Sequence, residues 1–318
     1  MNQSNWTLEF PGMKGFLQIW LARAANSLGL GFEMPGGGTS SYTVGADEIK
    51  AQMIPLYQVK DKTQVIYVSP FALKWSKSSL GSSTDTALAI AKRLCELINP
   101  SEDDNQQLFT IKVDSPGSIN IQLADLTIAI WLQNLTKILP LIEQEKASFR
   151  LVNSLKKTTA FSVGSSSSVF SAQYAHARCC SLLRLAHRER IIVLEEPDPE
   201  TTPIYWKTIA PQPIPWLNRN NRLRLVDPAE RNLIYDLFGV LDILYCLDRQ
   251  KNPISGATLA NTICQSFEQF YRQCRIWGEV KTDAVDLARA RLGLVAIAQA
   301  LLRLFLVDFL GVSAPLEL

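Results

Sequence analysis

The chain has 318 residues, of which 47% are apolar, so it can form one large domain or two ordinary ones with substantial cores. The formal net charge is only +2 at pH 7, which excludes the strongly basic composition of many nucleic-acid-binding proteins and leaves local patches as the source of any RNA binding. The six cysteines include no Cys-x-x-Cys pair and there are only two histidines, which argues against a structural zinc site and favours small buried thiols in a reducing compartment.

Residues 1–135 are predicted to form a mixed α+β domain. Apolar residues recur at helical spacing near the start, and short runs of β-branched residues follow later. The predicted elements are a helix over 12–29, a glycine-rich loop over 35–41, a strand over 63–69, a helix over 84–98 and strands over 108–113 and 118–123. The last two strands flank the Pro116-Gly117 turn, and apolar residues alternate with Asn120 and Gln122 in the second.

The remaining chain is predicted to be helical. Residues 136–168 are predicted to form a bridge with a helix and a serine run at 164–168, which is typical of a solvated, flexible link. Residues 169–318 are predicted to form a helical bundle, in which Asp227 as N-cap, Pro228 and Glu230 mark the clearest helix start. The predicted helices cover about 169–190, from 228 onward, about 255–276 and about 282–311, with a proline-rich crossing over 197–215. The predicted fold is an α+β domain followed by an all-α bundle.

The most membrane-like segment, 292–312, contains Gln299, Arg303 and Asp308. Because a charge at mid-bilayer costs roughly 2.5–3.5 kcal/mol on insertion scales, two charges argue against a membrane span. The first residues also lack the layout of a signal peptide. We therefore expect a cytoplasmic protein without membrane insertion.

Three segments resemble arginyl-tRNA synthetase in the order in which that family carries them. TDTALAIAKRL (84–94) and DSPGSINIQL (114–123) resemble a helix and a strand of the family's N-terminal additional domain. AQYAHARCCSLLR (172–184) is similar to the helix that opens its DALR anticodon-binding domain, and QYAHAR is the most specific part. SFEQFYRQCRIWG (266–278) and FLGVSAP (309–315) keep the order and spacing of that domain. The resemblance covers about 60–135 and 166–318 and implies an additional domain followed by a DALR-type bundle.

The features of the family's catalytic domain are missing between these two regions. A His-x-Gly-His motif is impossible because His176 and His187 lie too far apart, and residues 136–168 leave no space for a doubly wound nucleotide-binding domain. The segment 74–78 (KWSKS) resembles the family's adenylation loop but stands before the additional-domain helix instead of late in a catalytic domain. The glycines at 36–38 lack the Lys-Ser/Thr of a P-loop, and a structural histidine is favoured over a catalytic triad. We expect no enzyme activity, no catalytic residue, no metal and no cofactor.

Candidate RNA-binding residues follow from the way in which proteins read single-stranded loops, by stacking bases on aromatic or arginine planes. Three arginines share one helix face beside the QYAHAR segment, a basic loop precedes the Asp227 cap, and one helix end mixes aromatic and basic groups. The candidates in the helical domain are Tyr174, His176, Arg178, Arg184, Arg188, Arg219, Arg222, Arg224, Tyr271, Arg272, Arg275 and Trp277. In the first domain, the resemblance implies tRNA contact along the strand after Pro-Gly, with Asn120 and Gln122 as the candidates.

Each candidate also has a purely structural interpretation. A charged stripe on a helix is often only its solvated face, Tyr271 stands at helical spacing from Phe267 and could belong to the core, and Trp277 is open between the two readings. Two hypotheses remain for the chain. It is a non-catalytic adaptor that binds tRNA, with an arginine tRNA as the first candidate, or it is a scaffold that does not bind RNA. In the scaffold hypothesis, an unidentified protein or a second copy covers the surface left by the missing catalytic domain.

Overall fold

A computed structural model describes residues 12–28, 50–61, 63–79, 84–98, 108–141, 166–195, 207–245 and 255–318. The chain divides into two compact units. The first is built mainly on Gly12–Ala124, and the second mainly on Asp125–Ile243 and Arg249–Leu318. The predicted glycine-rich loop at 35–41 and most of the predicted bridge lie outside the described residues.

The first unit is the predicted α+β fold. Its described elements are α1 (Met13–Ser27), a 3-10 turn (Ala51–Met53), β1 (Tyr57–Gln58), β2 (Ile66–Ser69), α2 (Phe71–Ser79), α3 (Thr84–Ile98), β3 (Phe109–Asp114) and β4 (Ser118–Leu123). The four strands form one antiparallel sheet in the order β1-β2-β4-β3. The predicted helix over 84–98 and strand over 118–123 are confirmed, whereas α2 was not predicted. The synthetase-like segment 74–78 lies within α2, where Trp75 and Ser76 are buried, so it is helical and not a loop.

The β3–β4 hairpin shows why its turn needs glycine. Ile119, Ile121 and Leu123 are buried on one side of β4, which confirms the predicted alternation. Gly117 has a φ of +130°, and a Cβ at this position would lie 2.8 Å from the backbone carbonyl carbon of Ala87 in α3. Only glycine therefore fits where the turn meets α3.

The second unit is helical. Its described elements are α4 (Asp125–Leu141), α5 (Ser166–Arg188), β5 (Val193–Leu194), β6 (Thr208–Ala210), α6 (Pro228–Leu244), α7 (Gly256–Gln273), α8 (Glu279–Asp283), α9 (Val285–Leu304) and a π-helical turn (Phe305–Phe309). The α+β unit followed by a helical unit is the fold class that the sequence predicts. Within it, the predicted helix over 282–311 is divided, because Ala284 is not helical and separates α8 from α9.

Helix α9 forms the centre of the second unit, and α4, α5 and α7 pack against it. The segment Val285–Phe309 is long and apolar enough to cross a membrane, but 78% of its most apolar window is buried, which is the pattern of a core helix. Gly293 of α9 leaves room for the ring of Trp216, since a Cβ there would lie 2.4 Å from that ring. The position of Trp216 therefore depends on this glycine.

Helix α6 begins with the predicted cap, which also holds a buried ion pair. Asp227 accepts a hydrogen bond from the Ala229 amide at 2.8 Å, and Glu230 accepts one from the Asp227 amide at 2.8 Å. The other carboxylate oxygen of the fully buried Glu230 accepts from Arg291 Nε of α9 at 2.6 Å. Removing one partner of a buried pair typically costs about 3–5 kcal/mol, so this contact locks α6 to α9.

The start of the second unit differs from the predicted boundary at residue 135, which falls inside α4. Trp131 of α4 stacks on Phe238 of α6 with 3.6 Å between ring centroids, so α4 belongs to the helical core. Helix α5 begins at Ser166, and three serines of the predicted link therefore lie in a helix. A boundary set by packing between distant helices has no local sequence signal.

Candidate nucleic-acid interface

Helix α5 carries the QYAHAR segment and has one buried face and one exposed face. Its inward face is made of small and apolar residues, with His176 among them: Ala172, Ala175, His176, Cys179, Cys180, Leu183 and Ala186 are buried. The outward face presents Phe170, Tyr174, Arg178 and Ser181 at spacings of three and four residues. Burial raises the pKa of the Cys180 thiol to about 12, so this cysteine is a packing residue and not a nucleophile.

The guanidinium of Arg178 lies between two exposed tyrosine rings. Its Cζ is 5.4 Å from the ring centroid of Tyr174, one helical turn earlier, and 5.3 Å from that of Tyr271 on α7. Arg178 Nη2 also donates a hydrogen bond to the Tyr174 hydroxyl at 2.7 Å, which raises the pKa of Arg178. Both tyrosines are 41% exposed. We call these three residues the tyrosine–arginine cluster.

Packing between α5 and α7 positions this cluster. The ring of Tyr271 stacks against the buried ring of Phe267 with 6.3 Å between centroids, and the Cys264 thiol donates to the Ser171 carbonyl oxygen at 3.3 Å. Tyr271 is thus neither fully core nor fully free, since one face of the ring is supported and the side chain still reaches solvent. Arg272, the next residue, is paired with Glu268 at 3.4 Å.

A cleft of about 290 Å³ adjoins the cluster and is lined by Tyr174, Ala177, Arg178, Ser181, Arg184, Glu317 and Leu318. The segment after α9 forms its second wall. Gln173 donates to the Ser313 carbonyl oxygen at 2.9 Å, and Arg184 Nη2 donates to the Leu316 carbonyl oxygen at 3.1 Å. One wall of the cleft is thus the α5 face that carries Arg178 and Arg184, and the segment after α9 supplies the other.

The imidazole of His176 is fully buried beneath this segment. Its Nδ1 lies 2.8 Å from the Pro315 carbonyl oxygen, which can only accept, so Nδ1 carries the proton and Nε2 accepts from the Gln299 amide at 2.9 Å. Burial lowers the pKa of His176 and keeps the ring neutral. This corrects the expectation that His176 faces RNA, because its ring lies in the core and links the segment after α9 to α9 itself.

The basic loop before α6 is tied down by carboxylates. Asp125 at the start of α4 accepts hydrogen bonds from Arg222 Nε at 3.0 Å and from the Leu223 amide at 3.1 Å, and it also pairs with Arg231 at 3.3 Å. Arg224 is paired with Asp286 of α9 at 3.1 Å. Arg219 is exposed at the tip of the loop. Two of the three predicted arginines here therefore have a structural partner.

The remaining candidates are spread over the surface. Trp277 donates from Nε1 to Glu189 at 3.0 Å, and Lys281 pairs with the same carboxylate at 2.8 Å, which gives the tryptophan a structural contact. Arg275 is exposed, and its carbonyl oxygen accepts from Arg291. Arg188 is exposed near the end of α5, ten residues after Arg178 and thus about 15 Å further along the axis. None of these three lines the cleft.

The two candidates in the first unit lie on β4. Asn120 donates from its amide to Asp114 across the hairpin, and Gln122 is half-buried beside Thr110 and Ile66 in the sheet register. Their alternation with buried isoleucines is as predicted. Among the described residues, no group of three or more His, Cys, Asp or Glu side chains is placed to hold a metal ion.

The family comparison matches the DALR anticodon binding domain over residues 172–318. Residues 172–318 form a DALR anticodon-binding domain. Relatives of the chain include the arginine–tRNA ligase of Synechococcus sp. (strain JA-3-3Ab), 32% identical over 142 residues, which are 45% of this chain and 21% of the ligase. The arginine–tRNA ligases of Pelodictyon phaeoclathratiforme and Moorella thermoacetica are 34% and 32% identical over 148 residues, 46% of this chain and 22% of each ligase. No solved structure gives a significant match.

The chain thus spans about a fifth of the length of the curated relatives that it matches. The resemblance that the sequence showed over 172–318 is confirmed as a DALR domain. The family match does not include the first unit, so its likeness to the additional domain stays a prediction.

Sequence reasoning missed two residues of the second unit near the cleft. Phe170, which is 59% exposed, precedes Tyr174 by one turn on the same face, and its signal was an aromatic residue outside the apolar stripe of α5. Glu317 lines the cleft and pairs with Arg184 at 2.7 Å. No local signal reveals that pair, because the two residues are far apart in the chain.

Proposed function

We propose that the DALR domain binds the single-stranded anticodon loop of a tRNA, and that the protein acts as a non-catalytic tRNA-binding adaptor in the cytoplasm. The observation that carries this proposal is the tyrosine–arginine cluster at the mouth of the cleft. An arginine tRNA is the first candidate ligand, because the relatives are named arginine–tRNA ligases.

The cluster has the chemistry that an unpaired base needs. Stacking on an aromatic ring is worth about 1–3 kcal/mol per base and tolerates any base, because each has a π-face. The hydrogen bond from Arg178 to the Tyr174 hydroxyl holds the guanidinium between the rings before any ligand arrives. A preformed site loses less side-chain entropy on binding than a flexible one. The exposed Phe170 extends the aromatic surface by one helical turn.

The cleft supplies a place for the backbone of the same loop. Arg184 is at its far end, six residues after Arg178 and therefore about 9 Å further along α5. Guanidinium groups bind phosphate oxygens with two parallel hydrogen bonds, and phosphate contacts usually supply much of the affinity for RNA. A base on the cluster and a phosphate near Arg184 would use both ends of the cleft.

A binding measurement tests this function directly. Fluorescence anisotropy with labelled, unfractionated tRNA at about 50 mM salt should show micromolar or tighter binding that weakens steeply with added salt. Arg178→Ala should weaken binding more than Arg178→Lys, since lysine keeps the charge but loses the planar group that packs between two rings. Wild-type affinity in Arg178→Lys would show that only the charge matters and would contradict the cluster as a stacking site.

The non-catalytic part of the proposal rests on two sequence motifs, one that the chain lacks and one that it carries in a different structural setting. No His-x-Gly-His motif is present, and the KWSKS segment lies in a helix. We expect no arginine-dependent pyrophosphate exchange above background with the purified protein. Exchange that co-purifies with the protein and survives removal of contaminating synthetase would overturn this part and leave tRNA binding intact.

A second candidate function is a protein scaffold that does not bind RNA. The observation in its favour is charge: the net charge is only +2, and Arg222 and Arg224 of the predicted basic loop are paired with carboxylates. The partner in this case would be another protein or a second copy of the chain. A full tRNA pool that fails to bind at low salt, together with a stable complex or self-association in sedimentation, would favour the scaffold.

A further inference from the structure

The anionic side chain of Glu317 occupies the arginine end of the cleft. Its Oε1 lies 2.7 Å from Nη1 of Arg184, and Nη2 of the same guanidinium donates to the Leu316 carbonyl oxygen at 3.1 Å. The arginine side chain is 37% exposed and the glutamate side chain 77% exposed, so both are reachable from solvent. The cation proposed to meet RNA is therefore already in contact with an anion of the same chain.

The segment that carries Glu317 is anchored just before it. Ser313 is held by Gln173, and Pro315 is held by the buried His176 at 2.8 Å. Residues after this anchor touch α5 through the Arg184 contacts and the rim of the cleft. The short tether keeps the carboxylate close to Arg184, so it competes at a high effective concentration.

A carboxylate and a phosphate make the same bidentate contact with a guanidinium. We propose that Glu317 is an internal competitor for a phosphate subsite at Arg184, and that an RNA phosphate binds there by displacing the Glu317 side chain. This inference rests on the proposed function, since it names the phosphate subsite of the same cleft. It makes Glu317 a residue that sets RNA affinity without contacting the RNA.

Charge removal at Glu317 tests the competition. Because an exposed ion pair of this kind is weak, Glu317→Gln should tighten binding of labelled, unfractionated tRNA by about 1.5- to 5-fold at about 50 mM salt. The matched control is Glu195→Gln, which removes the same charge from an exposed glutamate paired with Lys207 at 3.6 Å. This control corrects for the change in net charge and should bring a smaller gain.

A double-mutant cycle locates the effect at Arg184. Arg184→Ala should weaken binding, and adding Glu317→Gln to it should give no more than the Glu195→Gln gain, because the competitor has lost its site. Arg184→Lys serves as a second variant in case Arg184→Ala loosens the segment after α9. Because lysine retains the positive charge, the Glu317→Gln gain should largely persist in that background. Thermal melts of all variants verify that the domain remains folded.

The outcomes separate this inference from the proposed function. Wild-type binding with a Glu317→Gln gain no larger than that of Glu195→Gln overturns the competition and leaves tRNA binding standing. A gain that persists fully in the Arg184→Ala background also overturns it, since the effect would not pass through that arginine. If neither wild type nor Glu317→Gln binds tRNA, the proposed function and the inference both fail.

Discussion

Replacing Tyr271 with alanine separates a stacking role from a packing role. The side chain is 41% exposed, while Phe267 stacks against its ring and Arg178 lies over it, so a base would stack on the part of the ring that these contacts leave exposed. Loss of one stacking platform costs about 1–3 kcal/mol, and we therefore expect the Kd for tRNA to rise roughly 5- to 150-fold. A fully buried aromatic residue costs about 3–5 kcal/mol of stability on truncation, and the partial burial of Tyr271 scales this to about 2–3 kcal/mol.

Two matched variants make the result interpretable. Tyr271→Phe keeps the ring and should stay within about twofold of the wild-type Kd, because the stacking surface is preserved. Tyr57→Ala removes a 56% exposed tyrosine from β1 of the other unit and should leave binding unchanged. The assay is anisotropy with labelled tRNA, paired with urea unfolding of each variant. Unchanged tRNA affinity in a folded Tyr271→Ala variant would refute the stacking argument, and a stability loss above about 3 kcal/mol would assign the ring to the core.

Four further predictions concern charge and pH. The logarithm of the tRNA association constant should fall with the logarithm of salt concentration with a slope of about −3 to −4, as expected for three to five phosphate contacts. Combined alanine substitution of three α5 arginines should weaken binding at least about tenfold and make this slope shallower, and an unchanged slope would contradict it. These three are Arg178, Arg184 and Arg188. Asp125→Ala should lower the free energy of unfolding by about 2 kcal/mol, because the carboxylate holds the basic loop, whereas Asp125→Asn should retain part of that energy. Burial holds the pKa of His176 below 6.5 in the folded state, so on acidification the unfolded chain takes up the proton first. The contribution of His176 to the free energy of unfolding should therefore be fully present above pH 6.5 and decrease as the pH falls below it. His176→Asn should flatten that dependence in urea titrations, and an equally steep one in the variant would assign it to other groups.

Elements with a local signal were predictable from the sequence. The helix at 84–98 and the strand at 118–123 follow from apolar periodicity, which acts over a few residues. The start of α6 follows from Asp227 and Glu230, whose side chains satisfy amides within three residues of themselves. The sequence also predicted that an α+β unit precedes a helical unit. It further predicted the likeness of residues 172–318 to a DALR domain.

The boundary between the units and the fate of individual candidates were not predictable in this way. Helical spacing places Tyr271 on the same stripe as Phe267, yet the first is 41% exposed and the second 1%, because α5 covers only part of that stripe. His176 belongs to a predicted RNA-facing segment, yet the structure buries it between Pro315 and Gln299, both more than a hundred residues away in sequence.

The sequence by itself determined the helix at 84–98, the cap of α6 and the likeness of residues 172–318 to a DALR domain, because these depend on residues close together along the chain. Only the tertiary structure decided which arginine side chains are available to bind RNA. Arg178 meets Tyr271, Arg222 meets Asp125 and Arg184 meets Glu317 across 93, 97 and 133 residues respectively. Such pairs form because helix packing brings distant faces together, and burial and charge pairing then decide whether each arginine faces a carboxylate, a ring or solvent.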